Sequence, residues 1–227
     1  MTPVPNVGLY RRATAAALVL GPLLLFVDNL LHPKEYTRDH EAQQLAKIGD
    51  AYTRWQLAHT IGFVAVIVFA AGVLGLAFLV RRRRPTFGLV AGALAVAGLM
   101  GAAGALAIDG YTWGVLGEVS TKPGVDQHTV EVALHTVQKS NWSLAWYLLL
   151  PVWIVGVVAL AMGASRDGLV PAWAAVLLAV GALMVGTEAF ITSNAYFIAS
   201  SAVWLAGGIA VALALARMTD DRFAGGS

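Results

Sequence analysis

Polar and apolar positions in this chain do not alternate at short range; they fall into long blocks. Six apolar runs, Ala13–Leu31, Leu57–Val80, Phe87–Ile108, Trp142–Ala164, Pro171–Ile191 and Tyr196–Met218, are separated by polar stretches of very unequal length. Each run comes close to or exceeds the roughly 20 residues that carry a helix across about 30 Å of hydrocarbon. Backbone groups find no water in such a medium and must bond within their own segment, so these runs are expected to be helices. The pattern predicts an all-α fold: a polytopic membrane helix bundle of six transmembrane helices, about 13–31, 57–80, 87–108, 142–164, 171–191 and 196–218. One integral membrane domain covers 1–227.

The two longest polar segments, His32–Gln56 and Asp109–Asn141, break the monotony. Each contains an amphipathic helical stretch. In the first, Leu45, Ile48, Tyr52 and Trp55 recur at helix spacing; in the second, Asp126 can cap a helix carrying Val130, Leu134 and Val137 on one face. Setting Trp55 on Trp142 aligns Trp55-Gln-Leu-Ala-His59 with Trp142-Ser-Leu-Ala-Trp146, and Asp39 with Asp126. This suggests a duplicated unit of span, outer helix and span.

Composition sharpens the class. The chain is 58% hydrophobic with a mean hydropathy of +0.71, which buried helices of a soluble protein do not sustain through six successive runs. It contains no cysteine, which excludes disulfides, thiolate metal sites and iron–sulfur clusters. Arg11, Arg12, Arg81–Arg84, Arg166, Arg217 and Arg222 all fall on one side of the predicted spans. The positive-inside rule then places both termini in the cytoplasm of a multi-pass protein of the inner (plasma) membrane, with the two long segments outside. The four-arginine run is thus a topology anchor and not a nucleic-acid patch. Arg11-Arg12 ahead of an apolar run imitates a secretion leader, but no small-residue cleavage site follows, so the run is read as a retained first span.

Within the apolar runs, apart from Arg217 at the inner end of the last, the acidic and histidine residues are Asp28, His59 and Glu188, each about a turn from the outer side. Such groups are costly in hydrocarbon and mark sites by default. Asp28 and His32 are four apart and share a helix face, so the carboxylate could orient the imidazole. Asp109 ends the third span. His128, Glu131 and His135 stand at i, i+3 and i+7 on the second outer helix. The expected acid–base set is Asp28, His59, Asp109 and Glu188; the expected metal set is His32, His59, His128, Glu131 and His135. Imidazole with carboxylate suits a divalent metal such as zinc, copper or iron. A single outer-side haem held by His59 and another histidine is the lesser alternative. Trp146, Tyr147, Trp153, Phe190, Tyr196, Phe197 and Trp204 are candidates to line an apolar pocket. No HExxH, GxSxG or P-loop motif is present.

Leu31-His32-Pro33 closing the first span and Trp55-x-x-x-His59 opening the second resemble small multi-spanning bacterial membrane proteins of uncharacterised activity. The resemblance covers the first two spans and implies a membrane fold, with no activity attached. The residues themselves lead to an enzyme acting on a membrane lipid or other apolar small molecule in an outer-facing pocket. A solute or metal-ion binding protein or transporter, and a structural subunit of a membrane complex, stay open as alternatives.

Overall fold

The computed structural model describes residues 6–33, 41–188, 191 and 193–223. They form α1 (Val7–Leu31), α2 (Glu41–Asp50), α3 (Tyr52–Arg83), α4 (Pro85–Ser120), α5 (Gln127–Gln138), α6 (Asn141–Arg166), α7 (Ala172–Gly186), α8 (Asn194–Ala216) and the short α9 (Asp220–Phe223). Among the described residues there is no strand. Five helices, α1, α3, α4, α6 and α8, are long and apolar enough to cross a membrane. Helix α7 is as apolar but has only 15 residues.

The long helices and α7 close into a ring. Helix α1 packs on α3, α3 on α4, α4 on α6, α6 on α7, α7 on α8, and α8 back on α1. Small residues face inward: Ala65, Ala91, Ala95, Ala161, Ala174, Ala175 and Ala182 are buried. Large apolar ones, including Leu20, Ile67, Leu89, Met100, Leu148, Val155, Trp173 and Leu213, are turned out. A soluble bundle does not turn so much large apolar surface outward; here close packing of small residues, with Leu18, Phe69, Leu99, Leu160 and Trp204 buried among them, joins the helices.

Glycine makes that approach at all but one seam. A Cβ on Gly21 would stand 2.5 Å from the Cβ of Phe69, closing α1 on α3, and one on Gly92 would stand 2.7 Å from Ala77, closing α3 on α4. Gly98 and Gly156 press on the backbones of Trp153 and Ala95, Gly181 on that of Trp204 and Gly208 on the carbonyl of Leu18, while Gly186 receives the end of the Ile154 side chain.

Element boundaries depart from the apolar runs where tertiary contacts overrule composition. Helix α3 starts at Tyr52, ahead of Leu57, because Trp55 is buried at 1% exposure. Tyr52 and Trp55 therefore belong to α3 and not to the outer helix. Helix α4 runs on to Ser120, well past Ile108. Its added turns carry Trp113, Gly114 and Gly117, and α2 lies directly on them through Leu45, Ile48 and Gly49. Helix α5 adds Val130 and Leu134 to the same outer cluster, while Val137 is left 38% exposed. In the other direction, the run through Ile191 stops early. The Thr187 hydroxyl bonds the carbonyls of Leu183 and Met184 and the hydroxyl of Tyr196, ending α7 at Gly186. Glu188 therefore lies in the α7–α8 connection and not inside a helical run.

The duplicated order of elements is not matched in packing. Helix α2 rests on α4 rather than within its own hairpin. Trp55 is buried while Trp142, aligned with it, is 77% exposed. Asp39 lies outside the described residues.

The arginine end is tied by side chains. Arg11 pairs with Asp220 at 3.0 Å and bonds the carbonyls of Leu215 and Ala216. Arg84 pairs with Asp167 at 2.7 Å, and Arg222 bonds the carbonyl of Gly168. Exposed pairs of this kind contribute about 0–1 kcal/mol each, so they fix loop positions more than they stabilise the ring.

The glycine seams carry the stability. Gly98→Val should lower the stability of the detergent-purified protein by about 1–3 kcal/mol through overpacking against Trp153. Leu89→Ala, on the exposed face, should stay within about 0.5 kcal/mol. Thermal unfolding of the two variants side by side checks this, and equal melting temperatures would dissolve the distinction.

Candidate functional site

The ring encloses a cavity of about 420 Å³ toward the end that carries the histidines. Its walls change character along α1, α3, α4 and α6. Nearest the histidine end stand Asp28, Asn29 and His32 of α1, His59 of α3, Asp109 and Trp113 of α4, Gln138 of α5, Tyr147 of α6 and Glu188 of the α7–α8 connection. Deeper, the same helices present Leu25, Val66, Leu99, Leu106, Leu150 and Trp153. The floor is aromatic: Trp204 lies 4.4 Å from Phe69 and 5.5 Å from Trp153, centroid to centroid.

His59 is the most closely positioned of these groups. It is 6% exposed, and its Nδ1 lies 3.1 Å from the carbonyl oxygen of Trp55, one turn earlier. A carbonyl only accepts, so Nδ1 carries a proton in this contact. The Trp55 ring lies 4.2 Å from that of His59, and its indole donates to the carbonyl of Gly110 at 2.9 Å. Gln56 donates to the same carbonyl at 3.2 Å. Gly110 lacks a side chain where His59 needs the space: a Cβ there would stand 2.6 Å from the Cβ of His59. These contacts fix the imidazole between α3 and α4.

The carboxylates come in from other elements. Asp28 lies over Gly62, one turn beyond His59, so that a Cβ at Gly62 would stand 2.9 Å from its Oδ2. His32 ends α1 with its backbone N–H on the carbonyl of Asp28 at 2.8 Å, and its ring packs 4.6 Å from Trp55 and 4.9 Å from His59. Asp109 accepts from the Tyr147 hydroxyl at 3.3 Å. Glu188 accepts from the Ser200 hydroxyl of α8. Asp28, His32, His59, Asp109 and Glu188 thus line one space, brought there by three helices and one connection.

The outer-helix stripe does not join them. His128 is exposed, and His135 pairs with Glu41 of α2 at 2.8 Å. Neither they nor Glu131 are among the residues lining the cavity; α5 reaches it through Gln138 instead. The cause is Val130 and Leu134, whose burial against Leu45, Ile48 and Trp113 sets the rotation of α5. Among the described residues no group of three or more His, Asp or Glu side chains is placed to hold a metal ion. His32 and His59 pack against each other rather than across the width of a porphyrin.

Of the aromatic candidates, Tyr147, Trp153, Phe197 and Trp204 line the cavity. Trp146 covers Gly104, and Tyr196 bonds Thr187. Phe190 lies outside the described residues. Asn29 and Gln138 were not anticipated. An amide inside an apolar block, as at Asn29, is the signal that a census of ionisable groups passes over; its Nδ2 donates to the carbonyl of Phe197 at 3.2 Å, joining α1 to α8. No protein-family model, curated protein or solved structure matches this chain.

Two outcomes follow for the outer helix. Replacing both His128 and His135 with Ala should shift stability by no more than about 0.5 kcal/mol each, whereas His59→Ala, which removes a buried and hydrogen-bonded ring, should cost about 1–3 kcal/mol. Paired melting curves decide between them. Separately, Asp126 caps α5 by accepting from the Thr129 hydroxyl and from the backbone N–H groups of Thr129 and His128. These donors, the Thr129 hydroxyl first, hold its carboxyl below the ordinary range. The cap is therefore fully present above the unfolded value of about 3.9 and is lost as pH falls through the lower folded value. Amide exchange in the first turn of α5 should accelerate on acidification into that window. Asp126→Asn should flatten this pH dependence, and an unchanged profile would remove the cap as its cause.

Proposed function

We propose that this chain is a multi-pass enzyme of the inner (plasma) membrane. It crosses six times with both termini cytoplasmic and works on a lipid-like or other apolar substrate in a pocket open toward the outer side. The observation that carries the reading is the graded cavity: ionisable groups at one end, aliphatic and aromatic walls below them. An amphiphile matches that gradient, with its reacting polar part among His59, Asp28, Asp109 and Glu188 and its apolar part against Leu99, Trp153 and Trp204.

In this reading His59 acts as general base through Nε2, because Trp55 holds the proton on Nδ1. Asp28 and His32 adjoin it on the α1 side, and Asp109, held by Tyr147, lines the same cavity from α4. Glu188, held by Ser200, faces the same space and is the candidate acid. Low dielectric around these groups strengthens each hydrogen bond that develops during proton transfer. Acid–base chemistry needs no ligand set beyond the groups that line the cavity, and for that reason it is preferred to a metal centre.

Transport is less favoured for a stated reason. Among the described buried residues between the aromatic floor and the arginine end, the polar side chain is Thr14, which bonds the Tyr10 carbonyl. Among the described residues no polar path leads on from the cavity. The sixth crossing by α7 is supported by its place in the ring between α6 and α8, and the orientation by the arginines gathered at one end.

Topology is tested with cysteines at exposed Ala46 of α2, at Gly124 and at Thr86. The first two should react with an impermeant reagent in intact cells and the third should not; the inverse pattern overturns the orientation. For activity, purified protein is incubated with a total polar lipid extract and the products are followed by mass spectrometry. A component turned over by the wild type but not by His59→Gln or Asp28→Asn is the expected result. Identical lipid profiles for wild type and variants, with folding intact, would sink the enzyme reading.

A further inference from the structure

A second concavity, of about 530 Å³, lies on the outer flank of the ring, away from the histidine end. Helix α1 supplies Val7, Tyr10, Ala13 and Thr14; α3 supplies Ala71, Leu74, Gly75, Phe78 and Arg82; Phe223 of α9 closes one end. Its floor is made where the two helices nearly touch, with Gly75 against the side chain of Thr14. Its sides are large and turned outward: Tyr10 is 58% exposed, Leu74 56% and Phe78 41%. It is apolar along its length and carries a cation at its arginine-end mouth.

That cation is placed differently from its neighbours. Arg84 is paired with Asp167 and Arg11 with Asp220. The Arg82 guanidinium instead lies 4.5 Å above the ring of Phe78, a wall of the groove. Among the described residues no carboxylate pairs with it. A cation–π contact holds the guanidinium in place while leaving its N–H donors available to an anion. Exposed Arg81 and Arg83 add positive potential at the same level.

Length decides what fits. From Ala71 to Arg82 a helix rises about 16 Å at 1.5 Å per residue. One leaflet contributes half of about 30 Å of hydrocarbon. The groove therefore runs the depth of a leaflet, with its cation where head groups sit and its apolar walls where acyl chains sit. We infer that this groove is a binding site for an anionic phospholipid of the leaflet at the arginine end, with an acyl chain between α1 and α3 and the phosphate on Arg82. The site rests on a bilayer around the ring and is independent of the chemistry assigned to the central cavity.

The test uses full-length protein reconstituted with equal amounts of phosphatidylglycerol and phosphatidylcholine, then re-extracted in mild detergent. Retained lipid is counted by native mass spectrometry. Wild type should hold phosphatidylglycerol in preference to phosphatidylcholine. Arg82→Gln should lose more than about tenfold in that preference, the effect of a lost hydrogen bond to a charged phosphate. Arg81→Gln removes the same charge outside the groove and should lose no more than about fivefold, the general effect of one basic residue at a membrane surface; it also controls for folding, together with the elution profile of each variant. Equal retention of both lipids, an equal loss in Arg81→Gln, or no retained lipid in the wild type would each overturn the site. The last result would leave the groove to another segment or a second copy of the chain.

Discussion

Close approach of helix backbones is the constraint on which this molecule depends. Small residues line its seams beside buried leucines and aromatics, so its cohesion depends on how near the backbones come. Glycine sets that distance at five seams: Gly21 between α1 and α3, Gly92 between α3 and α4, Gly98 and Gly156 between α4 and α6, Gly181 between α7 and α8, Gly208 between α8 and α1; between α6 and α7, Gly186 instead receives the end of the Ile154 side chain. With helices fixed on their outer sides, the centre is filled where Phe69, Trp153 and Trp204 meet and is left open above them.

The same device positions the chemistry. Gly110 and Gly62 are not at the midpoints of seams; they lie beneath His59 and Asp28. The imidazole and the carboxylate are seated where a neighbouring helix has nothing to place. Trp55 completes this arrangement by stacking on His59 with its ring, holding Nδ1 with its carbonyl, and reaching Gly110 with its indole. The outer helices cover this layer, since Leu45, Ile48, Val130 and Leu134 pack on Trp55 and Trp113.

Much of this was legible in the chain. Blocks of apolar residues locate helices because nothing else satisfies a backbone at that composition. An ionisable group inside such a block, as with Asp28 and His59, has few places to go except the interior. Where legibility failed, the cause is the same each time: spacing tells which residues share a face, not what the face meets. His128, Glu131 and His135 do share a stripe, but Val130 and Leu134 decided which way α5 turned. Glu188 looked embedded because Gly186 and Thr187 do not interrupt hydropathy, although the Thr187 hydroxyl ends the helix. Asn29 and Gln138 passed unnoticed for want of a charge.

The early end of α7 has a consequence for the bilayer. Its 15 residues rise about 22 Å, short of the roughly 30 Å that hydrocarbon demands. A stave shorter than its fellows ends level with the polar layer of the cavity, and Glu188, just past its end, lines that layer. A bilayer around the ring would thin or dip beside it.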